Sequence, residues 1–199
     1  MKNNKNVILT DVDGAVLDWE YAFHVWMQDR GHERYNVEEQ SYYLHNHYNI
    51  TKETAKKLVR QFNESAAIGF LPPLRDAMYY VKRLHEEHGY RFVAITSLSL
   101  DTNAQQLRKM NLRKLFGETA FEDVVCLDTG ADKQQALEQY RDSNLWWVED
   151  KPENAEVGHQ LGLQSILIEH GHTRQYIHPA ITKVRTWREI YKLITGTDA

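Results

Sequence analysis

Short apolar runs alternate with segments of helical periodicity along most of the chain. The apolar runs are 7–10, 91–96, 123–127, 145–148 and 164–168. The helical segments are 73–88, 104–115, 134–140, 154–161 and 186–196, the last of which begins with the capping-box spacing of Thr186 and Glu189. Strands that alternate with helices are typical of βαβ units, in which neighbouring strands run parallel. The sequence therefore predicts an α/β fold built on a parallel sheet.

The first connection is much longer than the others. About 60 residues separate Thr10 from Pro72, whereas a complete βαβ crossover needs only about a dozen. Apolar residues at helical spacing within 19–26 and 51–66 predict that the excess is helical. We therefore expect a core made of residues 1–14 and 72–199, with a small inserted helical subdomain, or cap, at 15–71.

Composition excludes several classes of partner. The 28 acidic and 24 basic side chains give a formal net charge of −4, so a nucleic acid polymer is not expected to bind, although single nucleotides stay open. No apolar run reaches the roughly 18 residues that a membrane span requires. Cys126 is the only cysteine, which fits a reducing compartment and predicts a cytoplasmic protein. The sequence does not indicate an oligomeric state.

Two carboxylates follow directly on the first predicted strand, in the tetrapeptide Asp11-Val12-Asp13-Gly14. Open α/β sheets place their ligand crevice at the carboxyl ends of the strands. Two adjacent acids repel one another, and a bound divalent cation would stabilise the pair. Because Asp-Gly is also a common turn dipeptide, a simple turn is the alternative interpretation.

Three further features lie at the same predicted edge of the sheet. Thr96 and Ser97 end the second run, where hydroxyl and backbone N–H groups can hold phosphate oxygens, or else form a cap. Lys133 begins a predicted helix and would neutralise charge on a phosphoryl group, unless it is merely solvated. Glu149 and Asp150 close the fourth run, as site carboxylates or as a helix cap. Their combination favours a phosphoryl-transfer site.

These residues resemble the four motifs of the haloacid dehalogenase superfamily of phosphotransferases. The matching segments are Asp11-Val12-Asp13-Gly14, Thr96, Lys133 and Glu149-Asp150-Lys151-Pro152-Glu153-Asn154. The resemblance covers nearly the whole chain and implies a Rossmann-like core with a short helical cap of the C1 type, inserted after the first motif. The long first connection falls at that position.

The resemblance also implies roles for the acidic residues. Asp11 would be the nucleophile that forms an aspartyl-phosphate, and Asp13 would be the general acid and base. Mg²⁺ would be bound by Asp11, the backbone carbonyl of Asp13, and Asp150. Dehalogenases and phosphonate-cleaving members lack an acid at the position of Asp13, so its presence favours hydrolysis of a phosphate ester. Ala15 replaces a frequent threonine of the first motif without removing any of these roles.

The remaining motif residues would hold the phosphoryl group or support the site. Thr96, Ser97 and Lys133 would bind the phosphoryl oxygens, while Glu149 and Asn154 would support the metal ligands. The resemblance thus implies a Mg²⁺-dependent phosphomonoester hydrolase acting on a small phosphorylated metabolite.

The cap would set substrate specificity, and it is rich in aromatic residues. Trp19, Phe23 and Tyr43 are candidates for stacking on a nucleobase, although a small helical subdomain also needs large side chains for its core. Segments 70–74, 95–97 and 132–133 and the region of Trp187 look similar to the 5'(3')-deoxyribonucleotidases, which makes a nucleoside monophosphate the alternative substrate.

Two His-x-His pairs fit neither role clearly. We expect His45 and His47 to be surface histidines rather than metal ligands, because no third ligand with clear spacing accompanies them. The same argument applies to His170 and His172, whose role the sequence leaves open.

Two other functions use similar residues. A signalling phospho-acceptor domain also combines acidic residues, a hydroxyl residue and a lysine. In such a domain, however, the aspartate that accepts the phosphoryl group lies on a later strand, and no large insertion follows the first strand. A binding protein that has lost catalysis would keep the fold, but Asp11, Asp13, Lys133 and Asp150 are all present.

Overall fold

In a computed structural model, which describes residues 6–35 and 43–197, the strands form one parallel sheet. They are β1 (Val7–Thr10), β2 (Arg91–Thr96), β3 (Phe121–Cys126), β4 (Trp146–Glu149), β5 (Gln164–Ile168) and β6 (Thr182–Val184). Their order across the sheet is β3-β2-β1-β4-β5-β6. The predicted α/β fold with a Rossmann-like parallel sheet is confirmed. The sequence missed only β6, which is three residues long.

Helices connect the strands and also fill the long first connection. They are α1 (Trp19–Gln28), α2 (Leu44–Tyr48), α3 (Lys52–Asn63), α4 (Ala77–Glu86), α5 (Thr102–Phe116), α6 (Gln134–Leu137), α7 (Pro152–Gln160) and α8 (Trp187–Thr195). The last helix begins at the expected capping box, in which Glu189 N–H donates to the Thr186 hydroxyl and Thr186 N–H donates to the Glu189 carboxylate. No helix of the described segments is long and apolar enough to cross a membrane.

The core lies on both faces of the sheet. Ile8 and Phe92 pack on one face, with α4, α5 and α8, while Leu9, Val93 and Trp147 pack on the other. Covered parallel strands need apolar residues on both sides, which is why the central strands are apolar throughout. The carboxyl ends of β1, β2 and β4 therefore meet at one well-buried edge.

The helices between β1 and α4 pack around aromatic rings. Trp19 stacks on Phe23 with ring centroids 4.7 Å apart, and Phe62 of α3 meets both rings edge-on at 5.4 Å. Part of the predicted cap, 36–42, lies outside the described residues. The predicted division into 1–14 with 72–199 and 15–71 stays a prediction.

Hydrogen bonds join the end of α3 to the loop that follows β2. Asn63 donates to the backbone carbonyl of Leu98 at 2.9 Å, just beyond β2, and accepts from Trp19 Nε1 at 2.9 Å. Ser99 donates to Glu64 at 2.8 Å. These contacts place α1 and α3 beside the loop that follows β2, at the carboxyl edge of the sheet.

Candidate active site

The loop after β1 is shaped by a glycine that has no room for a side chain. Gly14 has a φ of +75°, and a Cβ there would lie 2.1 Å from Asp150 Oδ2. The backbone N–H groups of Val16 and Leu17 both donate to the Val12 carbonyl at 2.9 Å. The tight loop therefore brings the first motif directly against the acid that follows β4.

Lys133 joins the acids at the ends of β1 and β4. Its ammonium is 2.7 Å from Asp11 Oδ1 and 2.9 Å from Glu149 Oε2, and all three residues are buried. Burial lowers the pKa of Lys133, but the two adjacent carboxylates outweigh burial and raise it overall. The lysine is therefore a fixed positive charge beside Asp11.

Glu149 has both of its carboxylate oxygens engaged in hydrogen bonds. Oε2 accepts from Lys133, while Oε1 accepts from Asn154 Nδ2 at 3.0 Å and from the backbone of Lys151 at 3.3 Å. Burial, reinforced by the charge of Asp11, raises the pKa of Glu149 to about 7. The structure thus brings Glu149 and Asn154 into direct contact, while their role as supports of the metal ligands stays a prediction.

The acids at this edge suit a divalent cation. Asp11, Glu149 and Asp150 each have a carboxylate oxygen within 4.8 Å of the others. Burial raises the pKa of Asp150 well above its usual range, and the nearby charges of Glu149 and Asp11 raise it further. Three acids face the single ammonium of Lys133, so a hard cation with oxygen ligands would stabilise the ionised cluster. The residues present fit Mg²⁺.

Asp13 is held by an arginine that the sequence analysis missed. Arg108 is 0% exposed, with Nη1 at 2.7 Å from Asp13 Oδ1 and Nη2 donating to Oδ2 at 3.0 Å. Burial raises the pKa of Asp13, and the charge of Arg108 opposes that rise. The sequence did contain a sign that Arg108 is buried. It lies four residues from both Ala104 and Leu112, and residues at that spacing share the apolar face of α5.

The two hydroxyl residues at the end of β2, Thr96 and Ser97, have different environments. Thr96 is fully buried, and its Oγ1 has no hydrogen-bond partner among the described residues. Ser97 instead donates to the Ala131 carbonyl at 2.7 Å, two residues before Lys133. The Thr96 hydroxyl is thus unpaired within the described residues, whereas Ser97 joins two loops of the site.

His170 contacts the loop of the first motif through the backbone of Gly14. Its Nδ1 accepts from the backbone of Thr173 in a capping box, so Nε2 carries the proton and donates to the Gly14 carbonyl at 2.7 Å. Burial lowers the pKa of His170, which favours this neutral form. The His172 ring lies parallel to it, 5.8 Å away.

Comparison with known proteins identifies the fold. No protein-family model matches the chain. An uncharacterized 32.4 kDa protein from the Gp30-rIII intergenic region of Enterobacteria phage T4 is 24% identical over 198 residues, covering 94% of this chain and 68% of that protein. A haloacid dehalogenase-like hydrolase from Streptococcus pneumoniae superposes with a TM-score of 0.62 at 16% identity, covering 96% of this chain and 98% of the other. This chain has the haloacid dehalogenase-like fold.

Proteins of different activity share this fold with the chain. The L-2-haloacid dehalogenase of Xanthobacter autotrophicus has a TM-score of 0.60 at 10% identity, covering 96% of this chain and 99% of the other. The D,D-heptose 1,7-bisphosphate phosphatase of Burkholderia thailandensis has a TM-score of 0.57 at 10% identity, covering 97% and 100%. The haloacid dehalogenase-like fold therefore leaves the reaction to be argued from the site.

The three candidate aromatic residues, Trp19, Phe23 and Tyr43, differ in how accessible their rings are. Phe23 is 1% exposed within the aromatic cluster, so the expectation that it stacks on a base is not supported. Trp19 is half-buried, and both its ring and its Nε1 are engaged inside the cap. Tyr43 is 57% exposed and is the one accessible ring of the three candidates. A cap as small as this one uses its large rings mainly to build a core.

Proposed function

We propose that the protein is a Mg²⁺-dependent phosphomonoester hydrolase that forms an aspartyl-phosphate on Asp11. One observation carries the proposal: a second carboxylate, Asp13, stands two residues from a buried carboxylate that is paired with Lys133. A nucleophile, a separate acid and a fixed positive charge are the groups that hydrolysis of a phosphate ester requires.

The reaction divides into two displacements. In the first, an Asp11 oxygen attacks phosphorus, the bond between phosphorus and the ester oxygen breaks, and Asp13 gives its proton to the leaving alkoxide. In the second, Asp13 takes a proton from water, which attacks the phosphorus of the aspartyl-phosphate and releases inorganic phosphate and the Asp11 carboxylate. Lys133 and the Thr96 hydroxyl stabilise the transferring phosphoryl oxygens in both steps.

Asp11, the backbone carbonyl of Asp13, and Asp150 would hold Mg²⁺. Bound there, the ion supplies positive charge that lowers the repulsion between the carboxylate nucleophile and an anionic phosphoryl group. Glu149 keeps Lys133 in place and accepts from Asn154, so it holds the lysine beside Asp11 rather than serving as a ligand.

The substrate in this proposal is a small phosphorylated metabolite. A nucleoside monophosphate is the alternative, supported by the sequence segments similar to deoxyribonucleotidases and by the exposed ring of Tyr43. The cytoplasmic location expected from the single cysteine stays a prediction, as does the absence of a nucleic acid polymer and of a membrane among the partners.

Phosphate release from a panel of phosphomonoesters, with ribo- and deoxyribonucleoside monophosphates included, tests the proposal. We expect release with Mg²⁺, none after chelation, and none from Asp11→Asn. Asp29→Asn, which alters an exposed aspartate at the end of α1, is the matched control and should remain active. Turnover by Asp11→Asn would contradict the proposal, and a long-lived acyl-phosphate without turnover would indicate a phospho-acceptor.

A further inference from the structure

Two histidines and a glutamate meet between α1 and α2, and none of them belongs to the acid cluster. Glu20 and His24 lie one turn apart on α1, and His47 comes from α2. Their ligand atoms all lie within 4.8 Å of one another, and His24 Nε2 is 3.1 Å from Glu20 Oε1. The His24 and His47 rings have centroids 5.9 Å apart.

These separations are close to those of a metal centre. Ligand atoms around a tetrahedral zinc ion lie about 3.3 Å apart, because each bond is about 2.0–2.1 Å long. The His24–Glu20 pair already meets that spacing, and His47 offers a ring nitrogen within 4.8 Å of both of these ligand atoms. Two imidazoles and a carboxylate are ligands that zinc accepts, whereas Mg²⁺ prefers oxygen alone.

The surroundings hold these side chains in place. The other nitrogen of His24, Nδ1, contacts the buried Tyr48 hydroxyl, which orients the ring in the way that outer-shell partners orient metal-binding histidines. His47 itself is only 2% exposed, contrary to the expectation of a surface histidine. His45 lies two residues before His47 on α2, so the helix turns it away from the cluster. The partners of His47 are instead Glu20 and His24 of α1.

We propose that Glu20, His24 and His47 bind a divalent transition-metal ion of the Zn²⁺ class, which fastens α2 to α1. With five residues, α2 is too short to be stable alone, and small subdomains commonly rely on a metal to supplement a limited core. The Arg34 guanidinium now lies 3.7 Å from Glu20 Oε1 and would move aside, which its partly exposed position permits. The site is separate from the proposed catalytic residues and does not depend on the proposed function.

Equilibrium dialysis against Zn²⁺, with excess Mg²⁺ present to occupy the acid cluster, tests the proposal. Visible absorption of the Co²⁺-loaded protein reports the coordination directly. We expect one Zn²⁺ per chain for the wild type and for Asp150→Asn, with a Co²⁺ spectrum typical of tetrahedral nitrogen and oxygen ligands. Glu20→Gln and His24→Gln should weaken Zn²⁺ binding by at least the roughly 10–100-fold known for outer-shell changes.

Controls separate this site from scattered histidines and from misfolding. His45→Gln alters the other histidine of α2 and should bind Zn²⁺ as the wild type does. Circular dichroism without metal checks that each variant is folded, and the half-exposed Glu20 makes Glu20→Gln the variant least able to disturb folding. Equal binding by the wild type, Glu20→Gln and His24→Gln would overturn the proposal, as would the absence of stoichiometric binding by the wild type.

Discussion

At the scale of single residues, the pairing of Arg108 with Asp13 fixes the position of one carboxylate of the site. A guanidinium with no exposure makes two contacts to one carboxylate, so each group neutralises the other in a place where neither is fully hydrated. Removing Arg108 leaves the Asp13 carboxylate, whose side chain is 22% exposed, without its partner. Arg108 therefore contributes both to folding and to the position of the proposed acid.

Arg108→Met should lower the free energy of unfolding by about 1–3 kcal/mol, because Asp13 loses its partner but keeps some exposure to solvent. Arg113→Met, on the same helix with an exposed side chain, should change it by less than about 1 kcal/mol. Urea denaturation measures both. Arg108→Lys keeps the positive charge but cannot make two parallel contacts to the Asp13 carboxylate. We therefore expect this variant to fold and to have a lower kcat with little change in KM. Equal stability of the two Met variants would contradict this account.

Gly14 provides a second test at this scale, because Gly31 is a matched control. The two glycines have nearly the same φ, +75° and +77°, but a Cβ at Gly31 meets no atom within 4 Å. Alanine at either position should cost about 1–2 kcal/mol of backbone strain. Only Gly14→Ala should also displace Asp150 and weaken Mg²⁺ binding by roughly tenfold or more. Titration calorimetry with Mg²⁺ distinguishes the variants, and equal Mg²⁺ affinity would argue against a metal role for Asp150.

At the scale of elements, the sequence predicted the sheet more accurately than the contacts between helices. The runs 7–10, 91–96 and 164–168 coincide with strands because central parallel strands are apolar on both faces and stand out from their neighbours. The strand β6 lies at the edge of the sheet and carries Lys183, so it lacks the run of apolar residues that marks the central strands. Arg108 and the Glu20, His24 and His47 cluster were missed because each depends on contacts between elements far apart in the chain.

Asn63 at the end of α3 contacts the loop that follows β2, and two substitutions within α3 test how much this contact contributes to stability. Asn63→Ala removes hydrogen bonds to Trp19 and Leu98 at a buried position. We expect it to lower the free energy of unfolding by about 1–3 kcal/mol, since both partners lose their contact. Gln61→Ala, on the exposed face of α3, should be nearly neutral. Thermal unfolding compares the two, and similar values would show that this contact does not hold the cap.

At the scale of the whole molecule, the acid cluster links metal binding to pH. Without metal, burial raises the pKa of Glu149 to about 7 and that of Asp150 well above its usual range. A carboxyl group whose pKa is higher in the folded than in the unfolded state favours folding below about pH 4. That contribution is lost as the pH rises through the folded-state value of Glu149, near 7. The metal-free protein therefore carries an electrostatic cost at neutral and alkaline pH.

A divalent cation should remove that cost, so its effect on stability should grow with pH. We expect Mg²⁺ to raise the melting temperature more at pH 8 than at pH 6, because fewer protons must leave the cluster when the metal binds at the higher pH. Differential scanning calorimetry with Mg²⁺ or with a chelator at both pH values measures this difference. Asp150→Asn, which removes one acid from the cluster, should reduce the Mg²⁺ effect at pH 8. A Mg²⁺ effect that is equal at the two pH values, or unchanged in Asp150→Asn, would mean that the ion binds elsewhere on the molecule.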